Sequence, residues 1–308
     1  GFEVSARSRP PRPWINVLAN PGFGTLVSEA GGGHVWAGNS RMHMITAWSN
    51  DALLDPPSDG LLLVDPQQDG RARWIGRTLD GGGPRRVRHG QGWSEIGQRF
   101  GAVDTLLQVV VDAEAPLRQS LLRLTLAPGA PARRVRLTGW VEWLMGSARQ
   151  ERLSLRTGVL EPEGAGGPAL ACTQLDHLGG QGGATAFMLL QPARAQDADA
   201  VRPAGWTCDR AEFFDAHGRM RLPQQPGGRS GAGLDACAAL ALDVELVPGR
   251  AVELVLLLGH GEDLAAARAL AGQARRRDPH ERAAQARQRW DALLGQGTVE
   301  TPDPPLDM

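Results

Sequence analysis

From Trp14 to about Gly259 the chain is a succession of short apolar or alternating runs. They are LLLVD (61–65), TLLQVVV (105–111), SLLRLTL (120–126), RRVRLTGWVEWLM (133–145), TAFMLLQ (185–191), ALALDVELV (239–247) and AVELVLLLG (251–259). Gly, Pro and Asp punctuate them, and their brevity and β-branched content predict strands. The turn formers in APGAPA and VPGRA predict hairpins. These runs are the clearest strand candidates. Alternate positions on a strand point to one face. The expected inner face comprises Leu106, Val110, Leu122, Leu124, Val135, Leu137, Phe187, Leu189, Leu240, Leu242, Val252, Leu254 and Leu256.

The period changes near the C-terminus. EDLAAARALAGQARRR (262–277) is Ala-rich and ends in a cationic turn, which suits a helix C-terminus. PHERAAQARQRWDALLG (279–295) begins with Asp278 and Pro279 as an N-cap and first-turn pair and ends at Gly295. Trp290 and Leu293 share one of its faces. Residues 1–13 are rich in Arg and Pro and are expected to be a disordered or linker lead-in.

Composition narrows the partners. A net charge of −1 gives no case for nucleic acid or an anionic membrane. No run approaches the roughly 18 apolar residues that span a bilayer, and GFEVSARSRPPRP lacks the apolar core of a signal peptide. Lys and Tyr are absent, so all 33 basic residues in the Lys+Arg count are Arg. Cys172, Cys208 and Cys237 are widely spaced and odd in number, which argues against a disulfide framework and for a reducing, cytoplasmic setting.

One stretch resists both periodicities. Pro13–Asp51 is dense in Gly, holds Trp14, Trp36 and Trp48, and contains all four asparagines, Asn16, Asn20, Asn39 and Asn50. An aromatic plate covers the C–H face of a sugar, and an amide both donates and accepts toward its hydroxyls. The competing reading is a set of turns in which Asn and Gly satisfy backbone geometry. Arg88 and His89, in VRHGQGWS, add a guanidinium and a group that titrates near neutrality. The candidate carbohydrate-binding residues are therefore Asn39, Arg41, Trp48, Asn50, Arg88 and His89.

Seven segments, PWINVLANPGFG, GGGHVWAGNSR, TAWSND, VRHGQGWS, GWVEWLMG, DRAEF and SGAGLDACAAL, resemble in this order the N-terminal domain of the family 94 glycoside phosphorylases. The likeness is greatest to the cyclic β-1,2-glucan synthases. His34 and Trp93 stand where that family usually has Tyr. The resemblance implies a mainly β fold, a two-sheet β-supersandwich of galactose mutarotase type with more than about twelve strands around one core, followed by two linker helices. It implies a lead-in at 1–13, the supersandwich at 14–261, a helical linker at 262–295 and the first residues of an absent (α/α)6 catalytic barrel at 296–308. It also implies that the parent enzyme acts on β-linked glucosides, with phosphate attacking the anomeric carbon while a barrel carboxylic acid protonates the leaving oxygen. On that reading this chain is a non-catalytic accessory domain, partnered by β-linked glucan or glucoside, the barrel, or a second copy in a homodimer. No cofactor is implied.

Other chemistry finds less support. His89 and Glu95 invite comparison with sugar mutarotases, which gives the alternative of a stand-alone aldose mutarotase or epimerase; a purely structural interface module is the third reading. Glu142 is expected either to be a buried partner for an Arg or to face solvent. DRAEF is expected to be a structural knot with an Asp–Arg pair. The other histidines lack metal-ligand spacing, GxSxG is absent, and the Gly-rich connections lack the P-loop pattern.

Overall fold

The computed structural model describes residues 1–5, 8, 10–31, 33–48, 57–77, 83–161, 167–177, 180–297 and 302. Among them the strands are β1 (Phe2–Val4), β2 (Ile15–Asn20), β3 (Phe23–Ser28), β4 (Val35–Ala37), β5 (Met44–Thr46), β6 (Asp59–Val64), β7 (Ala72–Trp74), β8 (Arg85–Gly90) and β9 (Trp93–Phe100). They continue with β10 (Val103–Val111), β11 (Leu117–Leu126), β12 (Arg133–Gly146), β13 (Leu155–Leu160), β14 (Ala169–Gln174), β15 (Thr185–Pro192), β16 (Val201–Asp209), β17 (Ala236–Leu246) and β18 (Val252–Gly261). Helices α1 (Leu264–Arg276) and α2 (Pro279–Leu294) follow.

The strands form two large antiparallel sheets, and the fold is the mainly β supersandwich expected. The first runs β1-β8-β9-β10-β11-β18-β15-β14-β13. The second runs β16-β17-β12-β5-β4-β3-β2, with β6 on β12 and β7 beside β6. The long β12 organises the second sheet. One edge pairs β17, and the other pairs β6 and then, past an irregularity between Trp143 and Gly146, β5. Met145 sits at that irregularity with φ of 54°.

Two hairpin expectations fail. APGAPA joins β11 of the first sheet to β12 of the second, and VPGRA joins β17 of the second to β18 of the first. Both are arches across the sandwich. The turn needs a glycine at positive φ, Gly129 at 79° and Gly249 at 79°, whichever way the next strand goes. Turn composition therefore cannot tell an arch from a hairpin. The lead-in also needs correction. Phe2–Val4 is an edge strand paired with β8, and Val4 is 1% exposed in the core.

The main core lies between the sheets and includes Leu122, Leu124, Val135, Leu137, Leu240, Leu242, Val252, Leu254 and Leu256 from the expected set. Four expected members lie elsewhere. Phe187 and Leu189 face outward, under Ala267, Ala271 and Ala274 of α1. Val110 packs against Ala283 and Ala286 of α2, and Leu106 is exposed. Helices cover part of the outer face, so these strands are apolar on both sides and their alternation does not reveal which side is inner. The inner members of β10 and β15 are Leu107, Val109, Val111, Met188 and Leu190.

Both helices are tied down by charge as well as by alanine. Asp278 caps α2 by accepting from the backbone N–H groups of His280 and Glu281. Arg282, 1% exposed, donates to Gln119 Oε1 and to the Ala274 carbonyl and lies 3.3 Å from Asp112 Oδ2. Trp290 packs on Gly92, where a Cβ would come within 2.2 Å of its ring.

Glu142 is the buried partner. Its Oε1 accepts from Arg149 and Arg152, each at 2.8 Å, and Arg210 lies 3.3 Å from Oε2. DRAEF is structural, but its Asp and Arg do not pair with each other. Asp209 meets Arg229, and Arg210 meets Glu142 and Asp235. Glu212 accepts from the Thr207 hydroxyl and the Gly227 N–H.

Candidate functional site

Asn50 lies outside the described residues, and the other five candidates fall on two parts of the fold. Asn39 and Arg41 sit on the exposed turn between β4 and β5. Asn39 Oδ1 accepts from the backbone N–H groups of Arg41 and Met42, both at 2.9 Å, so half of its amide shapes the turn. Trp48 is half-buried beyond β5. One face stacks on His34, with centroids 4.6 Å apart and planes at 6°, and the ring also packs on Met44, Ala47 and Leu144. Arg88 and His89 belong to β8 in the first sheet. Arg88 bonds Glu95 at 3.1 Å and lies over the Trp93 ring. His89 Nδ1 pairs with Ser94 Oγ at 2.9 Å, and burial pushes the imidazole below its ordinary pKa. These contacts place the described candidates around the β4–β5 turn and on β8, where the neighbours Arg88 and His89 point to opposite faces of the sheet.

Asn16 and Asn20 take the turn-and-bridge reading. Asn16 Nδ2 donates to the carbonyls of Gly90 and Trp93, each at 2.9 Å, which ties β2 to the first sheet. Asn20 Nδ2 donates to the carbonyls of Asp112 and Ala115 at 2.9 and 2.8 Å.

His89 and Glu95 do not form an acid–base pair. In the β8–β9 register His89 stands opposite Ser94 and Arg88 opposite Glu95. Neighbouring residues on a strand point to opposite faces. His89 and Glu95 therefore lie on opposite faces of the sheet, which removes the geometry a mutarotase reading needs. Among the described residues no group of three or more His, Cys, Asp or Glu could hold a metal ion. The three cysteines are buried free thiols, and burial raises Cys208 to about 12, which keeps it protonated and unreactive.

A cleft draws on a different set. It measures about 690 Å³ and opens between the β2–β3 turn, the β4–β5 turn, the loop after β10, the end of β18 and α1. Of the five described candidates only Asn39 lines it. Its volume is within the roughly 300–1,000 Å³ of small-ligand sites. Asn20 and Asp112 hold the rim. Asn20 does so through the two carbonyls above, and Asp112 Oδ1 accepts from the N–H groups of Glu114 and Ala115. Glu114 and Glu262 bring carboxylates to the lining, and among the described residues no Arg lines it.

Two histidines line the cleft, His43 from the β4–β5 turn and His260 from the end of β18. Their rings meet edge to face, with centroids 4.9 Å apart. Burial is the largest influence on each and lowers both pKa values, that of His260 to about 3. Both rings are neutral at neutral pH. His43 is 3% exposed, its main-chain carbonyl accepts from the Ala37 N–H at 3.2 Å, and its Nε2 is buried without a hydrogen-bond partner, as is Nε2 of His260. The sequence carries no signal for this pair, because the two residues are remote along the chain and meet only through the packing of turn against strand.

The chain belongs to the glycosyl hydrolase 94 supersandwich-domain family, which it matches over residues 2–277. It is 28% identical over 316 residues to the cyclic beta-(1,2)-glucan synthase NdvB of Rhizobium meliloti (strain 1021), a match covering 98% of this chain and 11% of that protein. The chain thus spans about a tenth of the length of this relative. Among solved structures it resembles a bacterial glucoamylase complexed with acarbose, with a TM-score of 0.55, 7% identity, and coverage of 96% of this chain and 40% of that one. It also resembles a protein from the human microbiome described as a kojibiose phosphorylase, with a TM-score of 0.50, 8% identity, and coverage of 89% and 35%. At these identities the structural likeness is one of fold alone. No helix among the described residues is long and apolar enough to cross a membrane.

Proposed function

We propose that this chain is a non-catalytic, carbohydrate-associated accessory domain of a family 94 enzyme that acts on β-linked glucan, of the cyclic β-1,2-glucan synthase type. The observation that carries this reading is the match to the supersandwich family over nearly the whole chain, together with an alignment of almost the whole chain to a glucan synthase. Its ligand is β-linked glucan or glucoside, and its covalent partner is a helical catalytic barrel. The β4–β5 turn residues Asn39 and Arg41 with Trp48, and the β8 residues Arg88 and His89, are the proposed saccharide contacts, joined by Asn50. A cytoplasmic location accords with three unpaired, buried thiols.

The domain has no phosphorolytic activity of its own. Phosphate release from glucose 1-phosphate in the presence of a β-glucoside acceptor measures this, and turnover by the purified chain above a buffer blank overturns it. Calorimetric titration with β-linked glucan tests the binding role. Affinity is expected near the millimolar range, about −4 kcal/mol, after association costs. The absence of binding at saturating glucan refutes it.

A second reading, an interface module, is favoured by Trp14, Ile15 and Val17. They are 50%, 52% and 48% exposed at the edge of the second sheet. An apolar edge of this kind suits contact with the parent chain or a second copy. Light scattering of wild type and Val17→Glu separates these two occupants, since only a homodimer dissociates on substitution.

A further inference from the structure

We propose that the cleft between the β4–β5 turn and α1 is a binding site for an uncharged saccharide, with the His43–His260 ring pair as its buried recognition element. The inference deepens the carbohydrate-associated reading above and rests on it. Three observations carry it. The first is an unmet hydrogen-bonding need. His43 is almost fully buried in the cleft wall, and its Nε2 has no partner. A neutral imidazole nitrogen donates or accepts according to its tautomer, so Nε2 can pair with a group of either kind. A buried polar nitrogen left unmet is costly, so the site calls for a hydrogen-bonding group, and a sugar hydroxyl, which both donates and accepts, meets either tautomer. Nε2 of His260 is in the same condition at the same wall.

The second observation is charge. The chain carries 33 Lys+Arg residues, all of them Arg, yet among the described residues no Arg lines this cleft, whereas Glu114 and Glu262 do. Burial keeps both imidazoles neutral at neutral pH. A phosphate or anionic sugar would meet two carboxylates and no compensating cation, which repels it. A neutral polyol meets no such penalty.

The third is shape and surface. The cleft volume of about 690 Å³ accommodates a short oligosaccharide. Ala266, Ala269 and Leu270 of α1 provide a shallow apolar wall for the C–H face of a sugar ring, and Gln273 on the same helix offers both a donor and an acceptor. Ala269 is an exposed helical position, so a larger side chain there fills the cleft with little effect on folding.

The test is a titration of the full chain at neutral pH with a linear β-(1,2)-linked glucose oligosaccharide, read by calorimetry and by saturation-transfer NMR. Wild type, Ala269→Trp and His43→Phe are compared, with circular dichroism confirming the fold. The expected result is weak binding by wild type and a loss of at least about tenfold in each variant, with no displacement by inorganic phosphate. If His43→Phe does not fold, Ala269→Trp decides. Wild-type binding that Ala269→Trp leaves intact overturns the cleft while the carbohydrate reading stands. Displacement by inorganic phosphate overturns the charge argument. No saccharide binding by wild type overturns both the site and the reading beneath it.

Discussion

Asp112 joins the linker helices to the sandwich, and replacing it with Asn isolates the worth of its charge. Its Oδ2 lies 2.9 Å from Arg277 Nη1 and 3.3 Å from Arg282 Nε. The Asp112 and Arg282 side chains are 2% and 1% exposed, while Arg277 is 34% exposed. Burial pulls the Arg282 guanidinium below its ordinary pKa, and the Asp112 charge opposes that pull. Asn keeps the Oδ1 acceptor for the N–H groups of Glu114 and Ala115 but removes the negative charge beside a buried cation. Removing one partner of a buried pair costs about 3–5 kcal/mol. Arg282 keeps its bonds to Gln119 and Ala274 at 2.6 and 2.9 Å, and Arg277 can turn to solvent, which puts the loss near the lower end. A loss of about 3 kcal/mol at roughly 2 °C per kcal/mol for a chain of this size lowers Tm by about 6 °C. Circular dichroism melts of Asp112→Asn against wild type measure it, and added salt leaves the difference nearly unchanged because the pair is buried. Arg277→Ala, at the more exposed partner, costs less than about 1 kcal/mol. A loss under about 1 kcal/mol for Asp112→Asn would show that alanine packing alone docks the helices, and the electrostatic account would fall.

Three further outcomes are expected. The folded-state pKa of His260, about 3, is below the ordinary 6.5, so its contribution is complete above pH 6.5 and is lost as pH falls toward 3. Wild type loses about 2 kcal/mol from this group by about pH 5, and urea unfolding at neutral and acid pH shows a smaller loss in His260→Gln; equal slopes in the two proteins would refute the assignment. Glu142→Gln leaves the Arg149, Arg152 and Arg210 cluster without its buried carboxylate and costs about 2–4 kcal/mol, seen in denaturant unfolding and in faster amide exchange at 149–154; unchanged exchange there would count against it. Gly92→Ala combines a φ of 74° with a Cβ 2.2 Å from Trp290, and costs about 2–3 kcal/mol; the measurement is amide exchange across α2, and protection equal to wild type would show that Trp290 gives way freely.

The mainly β class and the positions of the long strands were legible because short apolar runs between Gly, Pro and Asp have few other folded uses. The segments 61–65, 105–111, 120–126, 133–145, 185–191, 239–247 and 251–259 all coincide with strands. The start of helix α2 was legible because Asp278 caps its first backbone N–H groups and Pro279 presets the first-turn φ, and Gly295 follows its last residue in an ordinary helical conformation. The surroundings of the candidate residues were not legible. Asn16 and Asn20 bridge backbone carbonyls, and one face of Trp48 stacks on His34, contacts made across elements that residue type alone does not announce.

Local chemistry thus determined the strand class, the helix caps and the turn glycines, because each depends on a residue and its near neighbours. Tertiary structure decided everything that depends on which strand lies beside which. It turned APGAPA and VPGRA into arches, put Phe187 and Leu189 beneath α1, and set His89 and Glu95 on opposite faces. It also brought His43 and His260 to one cleft wall. Strand pairing is non-local: a sheet buried on both faces leaves no mark in the hydrophobic pattern to say which side is inner, and a site shared by a turn, a strand end and a helix has no spacing to read.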